Sequence, residues 1–166
     1  MTTTAQHESL WRRWVVNPVI KQLTQGASPE KIARAIACGV TIGLFPLLGT
    51  PTLLSLAIGI PLRLNQPVLQ VFRELSYPLH LATILLFMHA GASLFGAEPV
   101  QLSIPALTAR FFASPGQFMA DFGMIGLYAV IVWLMLAPLL LTAIYFISLP
   151  LIGRLSNRLT RTHHVV

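Results

Sequence analysis

Half of the chain lies in three runs that contain no charged residue: Ala35 to Leu62, Leu75 to Ala97 and Phe122 to Gly153. The residues that separate and interrupt these runs predict the elements. Ser28-Pro29-Glu30-Lys31 reads as a helix start, because serine can cap, proline suits the first helical position and glutamate opposes the positive end of the helix dipole. From Ile32 to Phe45 the apolar helix is about 21 Å long at the helical rise, short of the roughly 30 Å hydrocarbon core. It then meets Gly43-Leu44-Phe45-Pro46-Leu47-Leu48-Gly49-Thr50-Pro51. Proline removes an amide donor and clashes with the preceding turn, while glycine permits a sharp reversal, so a break is predicted. Thr50 as cap and Pro51 as first residue open a second short helix that ends at Leu62. With Lys31 and Arg34 before it and Arg63 after it, the segment 32–62 suits a re-entrant hairpin that enters and leaves a membrane on one side. The alternative is one kinked helix from Ala35 to Leu62, about 42 Å long if regular.

Residues 66–97 read as an interrupted helix, broken at Ser76-Tyr77-Pro78, whose part from Pro78 to Phe95 is just long enough to cross. Pro99, Pro105 and Ser114-Pro115 punctuate residues 99–121, an external segment with an amphipathic turn bearing Ile104, Leu107 and Phe111. Residues 122–153 form the clearest transmembrane helix, which Pro138 is expected to kink. Residues 1–27 lack the layout of a cleavable signal and read as an interfacial segment, since Trp11, Trp14 and Val15 share a helical face at the headgroup level. Residues 154–166 are a basic tail.

Composition sharpens the picture. Hydrophobic residues make up 55% of the chain and charged ones 10%, against about 25% charged in a soluble domain. The expected fold class is therefore an all-α integral membrane protein with broken, re-entrant helical hairpins and two full transmembrane helices. The net charge of +6 comes from clusters at Arg12 to Arg34, at Arg63 and at Arg154 to Arg161. The positive-inside rule makes all three cytoplasmic, so both termini are expected on the cytoplasmic side after an even number of crossings. No nucleic-acid-binding module accompanies the positive charge, so nucleic acid is not expected and anionic membrane lipids are. A single cysteine, Cys38, excludes a disulfide framework and a multi-thiolate metal site.

Candidate chemistry follows from the breaks. Broken helices are tolerated at membrane depth where protein or water satisfies the freed backbone groups, and transporters aim such half-helix ends at anionic substrates. Gly43, Pro46, Gly49, Thr50 and Pro51 are thus ligand-binding candidates, or else they form a purely structural turn. Arg73 and Glu74 precede the second break, where burial would make them functional and a boundary position would make them ordinary. If buried, Arg73 could neutralise an anionic headgroup and Glu74 exchange a proton, with Asn65, Tyr77 and His80 completing a polar lining. His80 and His89, nine residues apart, face opposite sides of a regular helix and cannot share a metal. Ala33, Ala37, Gly39 and Gly43 are small enough to let helices approach closely. No metal, cofactor or catalytic residue is expected.

Several of these motifs occur together in one family. Ser28-Pro29-Glu30-Lys31-Ile32-Ala33, Ile42-Gly43-Leu44-Phe45-Pro46-Leu47-Leu48-Gly49, Arg63-Leu64-Asn65-Gln66-Pro67 and Tyr77-Pro78 resemble, in order and spacing, a bacterial inner-membrane family catalogued only as domain of unknown function 2062. The resemblance implies a membrane protein and supplies no activity. The expected function is binding or transport of an anionic amphipathic compound, a lipid or a lipid-linked phosphate. The alternative is a non-catalytic scaffold that docks an enzyme of envelope synthesis. An intramembrane enzyme acting on lipid phosphates has least support, since such chemistry usually needs several carboxylates or histidines. Two crossings are too few to enclose a pathway, so a homo-oligomer is expected.

Overall fold

A computed structural model of the protein describes Arg13 and residues 16–47, 49–97, 109 and 112–163. The predicted interfacial residues Trp11 and Trp14, the external turn with Ile104, Leu107 and Phe111, and Leu48 within the break lie outside the described residues. Among the described residues the elements are six helices: α1 (Asn17–Thr24), α2 (Pro29–Gly43), α3 (Pro51–Gly59), α4 (Gln66–Leu75), α5 (Tyr77–Leu94) and α6 (Pro115–His163). Proline stands in the first or second position of each, where its missing amide costs nothing and its φ is already helical. Pro51 and Pro78, which break apolar runs, also start the next helix, while Pro46 lies in the turn before α3.

α2 is the core. Ile32, Ala33, Ala35, Ile36, Ala37, Cys38, Thr41 and Ile42 are buried on it, with α4 and α6 packed against it. The small residues set the distance to α4. A Cβ on Gly39 would stand 2.5 Å from the Leu69 carbonyl oxygen, and one on Gly43 would stand 3.0 Å from that of Arg73 and 2.8 Å from Ser76 Cβ. Gly91 plays the same part between α5 and α6, where a Cβ would meet the backbone of Tyr128 and Ala129 within 3 Å.

The chain breaks at 44–50 as the glycines and prolines predict, and Gly49 takes a φ of 79° there. It then turns back. Leu54 packs beside Phe45 near the end of α2, whereas Leu62 and Leu64 share a wall with Arg34 near its start. Asn65 closes the return: its Nδ2 donates to Gln22 Oε1 of α1 at 2.6 Å, and its Oδ1 accepts from the Val68 amide at 3.2 Å, capping α4. Asn65→Ala is expected to lower stability by about 1–2 kcal/mol, read as a lower thermal midpoint of the purified protein.

α6 has 49 residues, about 74 Å at the helical rise, and runs through Pro138 and Pro150. It is longer than the predicted helix of 122–153 at both ends. Nothing after Gly153 stops a helix, and Ile152 and Leu155 pack on the α1–α2 core, so the first part of the basic tail is helical. Along its length α6 is pinned to α2. Trp133 Nε1 donates to the Thr41 carbonyl at 3.2 Å, and its ring meets Phe45 edge-on at 5.0 Å.

Among the described residues, α5 and α6 are long and apolar enough to cross a membrane. Only 22% of the most apolar window of α5 and 11% of that of α6 are buried, far less than the core helix of a soluble domain would show. Leucines and other large apolar side chains such as Leu86, Met135, Leu139 and Ile147 are left exposed, which points to membrane association.

Candidate functional site

Among the described residues, a concave feature lies between α2, α3 and α6. On α2, Arg34, Cys38 and Thr41 follow one another at spacings of four and three and so share a face, and Phe45 lies just past the end of the helix. On α6, Trp133, Ala137, Leu141 and Tyr145 recur every four residues, and Leu54 and Ile58 do so on α3. These stripes enclose two hollows of about 570 and 440 Å³. Both are walled by Cys38, Leu141 and Thr142, so they are two parts of one groove. Trp133 and Phe45 line the larger part, while Arg34, Leu62, Leu64, Tyr145 and Phe146 line the smaller. From Trp133 to Phe146 the groove is about 20 Å long.

Its wall is almost all carbon, and Arg34 is the charged residue among those that line it. Thr142 presents little polarity, since its hydroxyl donates to the Pro138 carbonyl at 2.7 Å. One turn before Arg34, the Glu30 carboxyl is held below the usual carboxylate range by its own backbone amide, then by the Ser28 hydroxyl, with a further contribution from Arg34. The arrangement suits a molecule with a hydrocarbon chain and an anionic end.

A profile of the family described as "Uncharacterized protein conserved in bacteria (DUF2062)" matches residues 12–161. The chain belongs to this family. No curated protein and no solved structure matches it. The family description names no activity, so the functional reading rests on geometry.

The segments that carry the family resemblance have identifiable structural work: Pro29 starts α2, Gly43 to Gly49 make the break, Asn65 caps α4 and Pro78 starts α5. The ten predicted ligand residues do not line the groove. Gly43, Arg73, Tyr77 and His80 do come together, around the joint between α4 and α5. The His80 ring faces the Gly43 carbonyl and stacks on Tyr77 at 5.9 Å. His80 is buried, and its Nδ1 has no hydrogen-bond partner among the described residues.

Arg73 is half-buried: its Nε donates to Gln70 Oε1 at 2.9 Å, and Gln70 in turn donates to Ser55 on α3 at 3.0 Å. Its guanidinium is paired with the exposed Glu74. The two positions considered for this pair are therefore divided between them, with the arginine turned inward and the carboxylate outward. Pro46 is buried, Gly49 is exposed, and Thr50 and Pro51 are half-buried at the start of α3. Thr50 does not cap that helix; its hydroxyl donates backwards to the Leu47 carbonyl at 2.8 Å. Asn65 sits away from the others, beside α1.

Sequence reasoning missed Arg34, Thr142 and Tyr145 as site residues. The regular spacing from Arg34 to Phe45 was a usable signal for one wall. The opposite wall comes from a helix about a hundred residues later. Among the described residues, no group of three or more histidine, cysteine, aspartate or glutamate side chains could hold a metal.

Proposed function

We propose that this protein is a multi-pass bacterial inner-membrane protein, not an enzyme, that binds an anionic amphipathic compound and moves it within or across the bilayer. The compound is a lipid or a lipid-linked phosphate, its chain in the groove and its charge at Arg34. The observation that carries this reading is the carbon-lined groove ending in a guanidinium. In a bilayer the chain gains no hydrophobic free energy by leaving other chains, so shape and charge must select the ligand. In this reading α2 and α3 form a re-entrant hairpin on the cytoplasmic side, α4–α5 and α6 cross, and the protein works as a homo-oligomer.

The test is lipid retention. Purified protein is stripped, reconstituted with phosphatidylglycerol and examined by native mass spectrometry. Leu141→Trp fills the part shared by both hollows and is expected to abolish retention. Arg34→Gln is expected to weaken it about fivefold, the usual contribution of one cation near anionic headgroups. Equal retention by all three proteins would overturn the reading.

The length of α6, about 74 Å against a hydrocarbon core of roughly 30 Å, favours a second reading as a scaffold for an envelope-synthesis enzyme. Under that reading Leu141→Trp leaves function intact, and changes on the exposed surface of α6 abolish it.

A further inference from the structure

The face that α4 turns to α3 is polar. Gln66, Gln70 and Arg73 follow one another on it at spacings of four and three, opposite Ser55 and Gly59, the buried residues of α3. Gln70 uses both ends of its amide: Nε2 donates to Ser55 Oγ at 3.0 Å, and Oε1 accepts from Arg73 Nε at 2.9 Å. Gln66, one turn away, uses neither. Its Nε2 and Oε1 are buried and, among the described residues, have no hydrogen-bond partner; the amide lies over Gly59, in the place that a Cβ there would take. A buried amide left unpaired is costly, so its persistence at this position needs a reason.

The two helices run antiparallel, since Ser55 meets Gln70 and Gly59 meets Gln66. Moving α3 one turn, about 5.4 Å, along α4 brings Ser55 to the place of Gly59, where it meets Gln66 instead of Gln70. Ser55 keeps its own donor bond, to the Thr52 carbonyl at 2.7 Å, because both residues belong to α3. Each register thus pairs the amide nitrogen of one glutamine with Ser55 and leaves that of the other unpaired. The small pair Ser55 and Gly59 gives the helices room to pass, and α3 has little to unpack on its other side, where Leu53 and Ile60 are exposed.

We propose that α3 exchanges between these two registers, and that the exchange switches the wider hollow between holding and releasing its ligand. Packed helices move past one another in such one-turn steps because their packings are bistable. Leu54 and Ile58, themselves one turn apart, line the wider hollow. The step puts Leu54 in the place of Ile58 and Thr50 in that of Leu54, so a small polar residue replaces a large apolar one beside Phe45. The register exchange stands on the seam between α3 and α4 alone; its use as a switch rests on the groove reading above.

Cys38 supplies the reporter. α4 lies parallel to α2, with Leu69 beside Gly39 and Arg73 beside Gly43, so the step towards Gln66 carries Leu54 away from Phe45 and towards Cys38. In full-length Leu54→Cys protein in phosphatidylglycerol vesicles, oxidation with copper phenanthroline is expected to join the new thiol to Cys38. Gly59→Ser offers Gln66 a partner in the register seen here, and the atoms it displaces are the ends of the flexible Gln66 and Leu69 side chains. Added to Leu54→Cys, it is expected to slow the disulfide about fivefold, the effect of one hydrogen bond, and to raise the melting temperature. Gln66→Leu removes the second partner of Ser55 and is expected to slow the disulfide similarly.

A disulfide that forms at one rate in all three proteins, or in none of them while both thiols stay free, would overturn the proposal. Native mass spectrometry of the Leu54→Cys protein then reads the switch. The oxidised form is expected to lose phosphatidylglycerol that the reduced form keeps, and equal retention by the two forms would overturn the proposal as well. If the reduced form keeps no lipid, the groove reading itself fails, and the disulfide rates alone decide whether α3 changes register.

Discussion

Gly39→Leu is expected to leave little folded protein, recovered as aggregate on extraction or with a thermal midpoint far below that of the parent. The first atom added is the decisive one, because a Cβ at this position stands 2.5 Å from the Leu69 carbonyl oxygen. That contact is backbone against helix backbone, so no side-chain rotation relieves it. One turn on, a Cβ on Gly43 would stand 2.8 Å from Ser76 Cβ and 3.0 Å from the Arg73 carbonyl oxygen, so α2 and α4 are in close approach over two turns. Overpacking usually costs about 1–3 kcal/mol, and a case that forces two helices apart belongs above that range. The damage also spreads, since α2 is buried on the α6 side as well. Gly123→Ala is the control. A Cβ there meets nothing within 4 Å, and within a helix the change is expected to raise stability slightly, by about 0.4–1 kcal/mol.

Trp133→Ala is the second large loss, expected at about 3–5 kcal/mol in chemical or thermal unfolding. The indole is buried, packs edge-on to Phe45 and donates to the Thr41 carbonyl, so one side chain joins α6 to the end of α2. Its removal also enlarges the wider part of the groove. Trp133→Phe separates the contributions. The ring volume is largely kept and the N–H lost, so the expected cost falls to about 1 kcal/mol plus the misfit of a smaller ring. Equal losses in the two variants would show that the hydrogen bond, not the filled volume, joins the helices.

The helix starts and the first break were legible because local chemistry decides them. Pro29, Pro51, Pro67 and Pro78 can occupy a first turn and disrupt an interior one, and each stands in a first turn. The close approach at Gly39 and Gly43 was legible for a similar reason, since only small residues leave room for another backbone. Capping by Thr50 was not, because a threonine hydroxyl can donate backwards to a carbonyl as readily as it can accept forwards. The groove was least visible. Its walls join Arg34 and Cys38 to Leu141 and Tyr145, and no local pattern says which distant helix an apolar face will meet. Arg34 read as one more cytoplasmic cation because its value as a site depends on the hollow beside it. Gly43 read as a place for a guest, yet its space is taken by the protein's own Ser76.

The prolines of α6 bear on how such a hollow could open. Pro138 deprives the Leu134 carbonyl of its helical donor, and Pro150 does the same to that of Phe146. Leu134 belongs to the wider hollow and Phe146 to the narrower one. Trp133 fastens the helix just before the first weak rung, and Ile152 fastens it just after the second. The stretch between them thus lacks two helical hydrogen bonds, although Ala137 and Ile144 hold it to the core, and under the proposed function it is where the wall of the hollow would yield to a ligand.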